Sequence, residues 1–126
     1  MKNNVGQIGE KVAADFLRQK GYDILETNYK NNSGYRLGEI DIIARDKKSE
    51  EIIFVEVKTR NYQKYKDTLP EENITYNKLR KLEKIANAYL LKQHWRDKPF
   101  RFDAISIWLD LASRRAKIKH LPSICL

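Results

Sequence analysis

Cysteine, histidine and proline are scarce: the 126 residues include one Cys, two His and three Pro. A lone thiol, Cys125, has no intrachain disulfide partner, which suits a reducing compartment. One Cys and two His also cannot furnish a Cys/His zinc site. Long apolar runs are missing, since nothing approaches the roughly 20 residues that a membrane helix needs. Met1–Gln7 lacks the apolar segment of a signal peptide, so a cytoplasmic protein with no membrane partner is expected. No repeat, low-complexity tract or composition break divides the chain. That predicts a single domain over residues 1–126, with its core at about 6–109 and a short edge strand and tail at 110–126.

What the chain does contain is charge on a globular background, with 41% hydrophobic and 33% charged residues. The net charge of +8 is unevenly spread. Residues 1–60 hold 11 Lys+Arg against 10 Asp+Glu, whereas residues 61–126 hold 14 against 7. A basic second half favours polyanionic partners, nucleic acid first, through counterion release, although it also serves as plain solubilising surface.

Periodicity supplies the elements. Val5, Ile8, Val12 and Phe16 recur at helical spacing, which predicts a helix over Gly6–Lys20 stopped by Gly21. Tyr22–Tyr29 reads as a strand, and Asn31, Asn32, Ser33 and Gly34 as the turn cluster after it. A second helix is expected from about Thr75, its N-cap, to Gln93, with Leu79, Leu82, Ile85, Ala86, Tyr89 and Leu90 as the buried stripe. Phe100–Leu109 alternates as a strand, and Ala116–His120 is a short edge strand. The first three strands can pair as an antiparallel meander. The second helix is long enough to be a right-handed crossover that sets strands three and four parallel. The expected fold class is α/β, a mixed central sheet flanked by helices.

The third and second strands form the stretch with the most chemistry. Gly38–Arg45 and Ile52–Thr59 flank the polar run Asp46–Glu51, which predicts a β-hairpin. Symmetric pairing sets Arg45 opposite Ile52, Ile43 opposite Phe54, Asp41 opposite Glu56 and Glu39 opposite Lys58. Alternation then puts Glu39, Asp41, Glu56 and Lys58 on one face, and Ile40, Ile42, Ala44, Ile53, Val55 and Val57 on the other. Like charges directly opposed are destabilising. Ile43 and Phe54 share their face, so the two carboxylates are partly buried and call for a partner. Hard oxygen ligands with room for water and phosphate suit Mg²⁺, with Mn²⁺ as its substitute. Lys58 reaches the same pocket, where it could orient an attacking water or stabilise phosphate charge. Phosphodiester hydrolysis is a natural task for the set. The plainer reading is a solvated face on which Glu39 and Asp41 pair with Lys58.

Glu10 borders the apolar face of the first helix and could lean toward Asp41; as a first-turn acid it also suits the helix dipole. Gly6 and Gly9 nearby could let that helix come close. Lys78 sits at the edge of the second helix's stripe, where it could point at the site, and Arg60, Tyr62, Lys64, Tyr65 and Lys66 interleave aromatic and basic side chains as a nucleic-acid contact would, although each singly also reads as a solvated lysine or packed tyrosine. Asp103 reads as structural.

These residues carry a resemblance. Glu10, Asp41 and Glu56-Val57-Lys58 look like the PD-(D/E)xK nuclease motif. The longer run is more specific: G-x-x-G-E-K-x-A-A-x-F-L at Gly6–Leu17, then Gly21-Tyr22, Ile24-Leu25, Asn28, Gly38-Glu39-Ile40-Asp41, Phe54–Arg60, Lys78 and Arg101-Phe102-Asp103. It resembles the YraN-like family of bacterial proteins, which is similar in turn to archaeal Holliday junction resolvases. The resemblance implies a restriction-endonuclease-like αβββαβ core and a Mg²⁺-dependent nuclease acting on DNA, including branched or junction DNA. It makes Asp41 and Glu56 metal ligands with the Val57 carbonyl a third, Lys58 the water-orienting residue and Glu10 a supporting carboxylate. The loop Asn61–Asn73 and the turn residues before Gly38 depart from the family pattern. Cutting both strands of a junction would call for a homodimer. The alternative is a nucleic-acid-binding protein that keeps the fold without turnover.

Overall fold

The structure, a computed structural model, describes residues 4–30, 38–61 and 75–124. Helix α1 spans Val5–Gln19 and β1 spans Tyr22–Lys30; β2 (Glu39–Asp46), β3 (Ile52–Asn61), α2 (Tyr76–Lys92), β4 (Phe100–Asp110) and β5 (Arg115–Leu121) follow. Both helices start where a side chain can take an orphaned amide. Asn4 Oδ1 accepts from Gln7 N at 2.8 Å, and Thr75 Oγ1 accepts from Lys78 N at 3.2 Å. Helix α1 ends at Lys20, after which Gly21 turns the chain with φ +98°, a conformation in which other residues are strained.

The five strands form one sheet in the order β1-β2-β3-β4-β5. β1–β2, β2–β3 and β4–β5 are antiparallel, and β3–β4 is parallel across the α2 connection. This is the expected mixed α/β sheet, with a helix on each face. Beneath α1 lie Ile42, Ala44, Ile53, Val55, Val57, Ile105, Ile107 and Leu109. Beneath α2 lie Ile43, Ile52 and Phe54, met by the whole expected stripe from Leu79 to Leu90.

Two expectations need correction. In α1 the fully buried row is Gly9, Ala13, Ala14 and Leu17, while Val5, Ile8, Val12 and Phe16 pack only partly buried at its flanks. Small residues take the centre because they let the helix axis approach the sheet: a Cβ on Gly9 would overlap the Thr59 side chain of β3. Gly6 has no such role, since its nearest neighbour is the N-cap Asn4. On β2, Ile40 packs with the α2-side residues rather than with Ile42 and Ala44. The period of two breaks at Asp41, where β2 leaves β3.

Candidate metal and phosphodiester site

The hairpin register is as the sequence predicts from Arg45–Ile52 to Ile42–Val55, and there the ladder ends. Beyond it, Asp41 Oδ2 accepts the Val57 amide at 2.7 Å. A side-chain carboxylate has taken the donor that a continuing strand would have used, so the strands part. Asp41–Glu56 and Glu39–Lys58 are therefore not ladder pairs. The gap between the strands is where the charged side chains collect.

Asp41 and Glu56 are both buried, at 8% and 5% exposure. Burial, then the neighbouring Glu56, pushes the Asp41 carboxyl far above the ordinary carboxylate range. Burial acts on Glu56 in the same direction, but hydrogen bonds from Asp41 and Lys78 outweigh it and hold Glu56 low. The two carboxyls therefore titrate as a pair, Asp41 held high and Glu56 held low. Lys78 Nζ lies 2.6 Å from Glu56 Oε2 as an ion pair.

Two further carboxylates close the site. Glu10, carried beside Gly9 by the close approach of α1, joins Glu39 and Asp41 so that one oxygen from each lies within 4.8 Å of the others. Burial raises the Glu10 carboxyl, and the Glu39 charge adds to this. Asn28 bridges the two acids: with its amide turned to suit its neighbours, Nδ2 donates to Glu10 Oε1 at 2.9 Å and Glu39 Oε1 at 3.1 Å. Its φ of +51° lies in the left-handed region, which Asn tolerates better than most residues. Glu39 also meets Lys30 Nζ at 4.0 Å.

Lys58 is half-buried, and burial followed by the contact with Lys78 lowers its amine below the usual lysine range. Lys78 moves the other way, because Glu56 and Lys58 both hydrogen-bond its ammonium and outweigh burial. An open groove of about 460 Å³, lined by Gly38, Glu39, Thr75, Asn77, Lys78, Lys81 and Leu82, lies beside this set.

The acids already have lysine neighbours, Lys78 on Glu56 and Lys30 on Glu39, and the Glu10, Glu39 and Asp41 oxygens are near enough to one another to be able to hold one hard divalent cation. Of the residues singled out in the sequence, Glu10, Asp41, Glu56, Lys58 and Lys78 come together. Val57 contributes its amide to Asp41, while its side chain packs under α1. Arg60 Nη1 donates to the Thr59 carbonyl at 3.1 Å. Lys64 and Lys66 lie outside the described residues. Glu39, read from the sequence as sharing the charged face but given no site role, joins Glu10 and Asp41, and Asn28 as its clamp was not foreseen.

A second buried carboxylate behaves differently. Asp103 on β4 is fully buried, yet it is held below the usual range: burial raises it, and hydrogen bonds from His120, Arg101 and the Ser123 amide more than offset that. Their distances are 2.7 Å from His120 Nε2, 2.9 Å from Arg101 Nε and 2.9 Å from Ser123 N. Arg101 also reaches Glu51 at 2.6 Å and the Tyr22 hydroxyl at 3.1 Å.

Among the described residues, no helix is long and apolar enough to cross a membrane. Residues 9–107 match the model of a family described as uncharacterised protein family UPF0102. A UPF0102 protein of Caldanaerobacter subterraneus subsp. tengcongensis is 42% identical over 109 residues, covering 86% of this chain and 83% of the relative. One from Caldicellulosiruptor bescii is 42% identical over 115 residues, covering 90% of each. One from Clostridioides difficile is 43% identical over 104 residues, covering 82% and 84%.

Proposed function

The chain belongs to the UPF0102 family, and for it we propose a Mg²⁺-dependent nuclease that hydrolyses DNA phosphodiester bonds, with a preference for branched or junction DNA. The observation that carries this reading is the convergence of Glu10, Glu39, Asp41 and Glu56 with Lys58 where β2 and β3 part. The order helix, three strands, helix, strand supports placing it on a restriction-endonuclease-like core. Asp41, Glu10, Glu39 and Glu56 are the residues that would hold the ion. Bound there, a divalent cation supplies Lewis-acid polarisation of a phosphoryl oxygen and a more acidic water.

The chain's own groups do the remaining work. Lys58 Nζ, beside Glu56 and Lys78, orients the attacking water, whose proton passes to solvent as its oxygen bonds to phosphorus. The bond from phosphorus to the opposite ester oxygen breaks, and that oxygen is protonated by solvent. Lys78 keeps its charge, holds the Glu56 carboxylate and faces the growing negative charge on phosphate.

The test is cleavage of linear, flapped and four-way DNA with Mg²⁺ or Mn²⁺, using Glu56→Gln and Lys58→Ala as controls. Metal-dependent cleavage lost in both variants is expected. Cleavage that survives both overturns the site assignment. Salt-dependent binding with no cleavage under any metal overturns the enzyme reading in favour of the non-catalytic DNA-binding alternative.

A further inference from the structure

Asn28 stands at an irregular point of β1. The register pairs Thr27 with Ile42 and Tyr29 with Ile40, so Asn28 falls level with Asp41. A residue at such a place in an antiparallel strand ordinarily has φ of roughly −140°. Asn28 instead has φ +51°, the left-handed region that residues other than glycine enter only against a steric penalty. An extended residue would continue the strand without that penalty, so the outlier points to a task for the side chain.

The Asn amide carries two N–H donors on one nitrogen. With the amide turned as its neighbours require, one reaches Glu10 Oε1 at 2.9 Å and the other reaches Glu39 Oε1 at 3.1 Å. Helix α1, strand β1 and strand β2 are thereby joined at a single nitrogen. Glu10 and Glu39 belong, with Asp41, to the trio whose oxygens lie within 4.8 Å of one another. Both are only half-buried, and each has a long, rotatable side chain that like-charge repulsion would drive toward solvent. The Asn28 nitrogen, donating to both, offsets that repulsion and fixes the two carboxylates side by side.

We propose that Asn28 is a positioning residue: its amide holds the Glu10 and Glu39 carboxylates together, so that the ligand set is already formed when a divalent cation arrives. The inference rests on the metal-dependent reading of the site and extends it to a neutral side chain on a different strand from the acids. Groups that orient metal-ligating carboxylates from behind typically change metal affinity by about 10–100-fold when they are removed.

The test is calorimetric titration of the folded protein with Mn²⁺ in the absence of DNA, accompanied by thermal melts in chelator. Asn28→Gly removes the amide and leaves a residue that accepts the left-handed backbone freely. Thr27→Gly is the control, because it loosens the same strand at an exposed neighbour outside the acidic trio. Asn28→Gly is expected to bind Mn²⁺ about 10–100-fold more weakly than the parent, with a melt no lower than that of Thr27→Gly, while Thr27→Gly keeps the parental affinity. Parental affinity in Asn28→Gly overturns the proposal. Equal loss of affinity in both variants, or weaker binding with a melt below that of Thr27→Gly, also overturns it and makes Asn28 a residue of the fold alone. A parent that binds no Mn²⁺ overturns the metal reading and the proposal together. Parental binding that weakens in Asn28→Gly, with no cleavage of any DNA, supports the proposal and overturns only the nuclease.

Discussion

Asp103 and Asp41 are both buried aspartates on the same sheet, and their surroundings lead to opposite outcomes. Asp103 meets an arginine, a histidine and a backbone amide, and its carboxyl falls. Asp41 meets one amide and three other acids, and its carboxyl rises. Equal burial thus says little about role; the count of donors against charges says more. A carboxylate with its lone pairs filled holds strands together. One left among its own kind is kept at a cost in stability.

The comparison breaks most sharply through activity. Glu56→Gln is expected to lower DNA cleavage per folded molecule by about a thousand-fold, the scale of losing a principal electrostatic contact. Asp103→Ala should do the converse. It strands the part-buried Arg101, costs about 3 kcal/mol in urea unfolding, and leaves cleavage per folded molecule nearly intact. If Asp103→Ala removed cleavage without lowering stability, the two centres would not differ in kind.

Gly9→Ala comes next in size. The added methyl meets Thr59, so α1 must lift, which costs about 1–3 kcal/mol and shifts Glu10 away from the acidic set. Thr59→Gly in the same chain should recover part of both stability and cleavage.

The smallest effects are slopes with pH, and they have opposite signs. The Asp103 carboxyl is depressed in the fold, so its contribution is complete above the ordinary carboxylate range and fades as pH falls through its folded value. The Asp41 carboxyl is raised, so its contribution is complete below its unfolded value near 3.9 and is lost as pH rises toward its folded value. In chelator, thermal melts of the parent should therefore lose stability relative to Asp41→Asn between mildly acidic and alkaline pH. Melts of Asp103→Asn should converge with the parent in acid. A parent curve parallel to that of Asp41→Asn would mean that Asp41 carries no extra proton.

Much of this contrast was legible before any coordinates. The arms of the hairpin alternate cleanly, so its register from Arg45–Ile52 to Ile42–Val55 follows from pattern alone, as does the α2 stripe. The end of the ladder was hidden, because periodicity cannot register a side chain competing with a backbone for the Val57 amide. The buried row of α1 was hidden for another reason: hydrophobicity ranks Val and Ile above Gly and Ala, whereas closeness to a sheet reverses that order. Lys78 was legible as a lysine at the border of the α2 stripe that could point at the site, but the 2.6 Å contact with Glu56 depends on how α2 crosses the sheet.

The Val57 amide also gives the site its own spectroscopic probe. Its proton points at Asp41 Oδ2, so its nuclear magnetic resonance frequency depends on what else that carboxylate holds. One backbone signal from the middle of a β-strand would register proton loss, cation arrival and their order, without a label at any acidic residue.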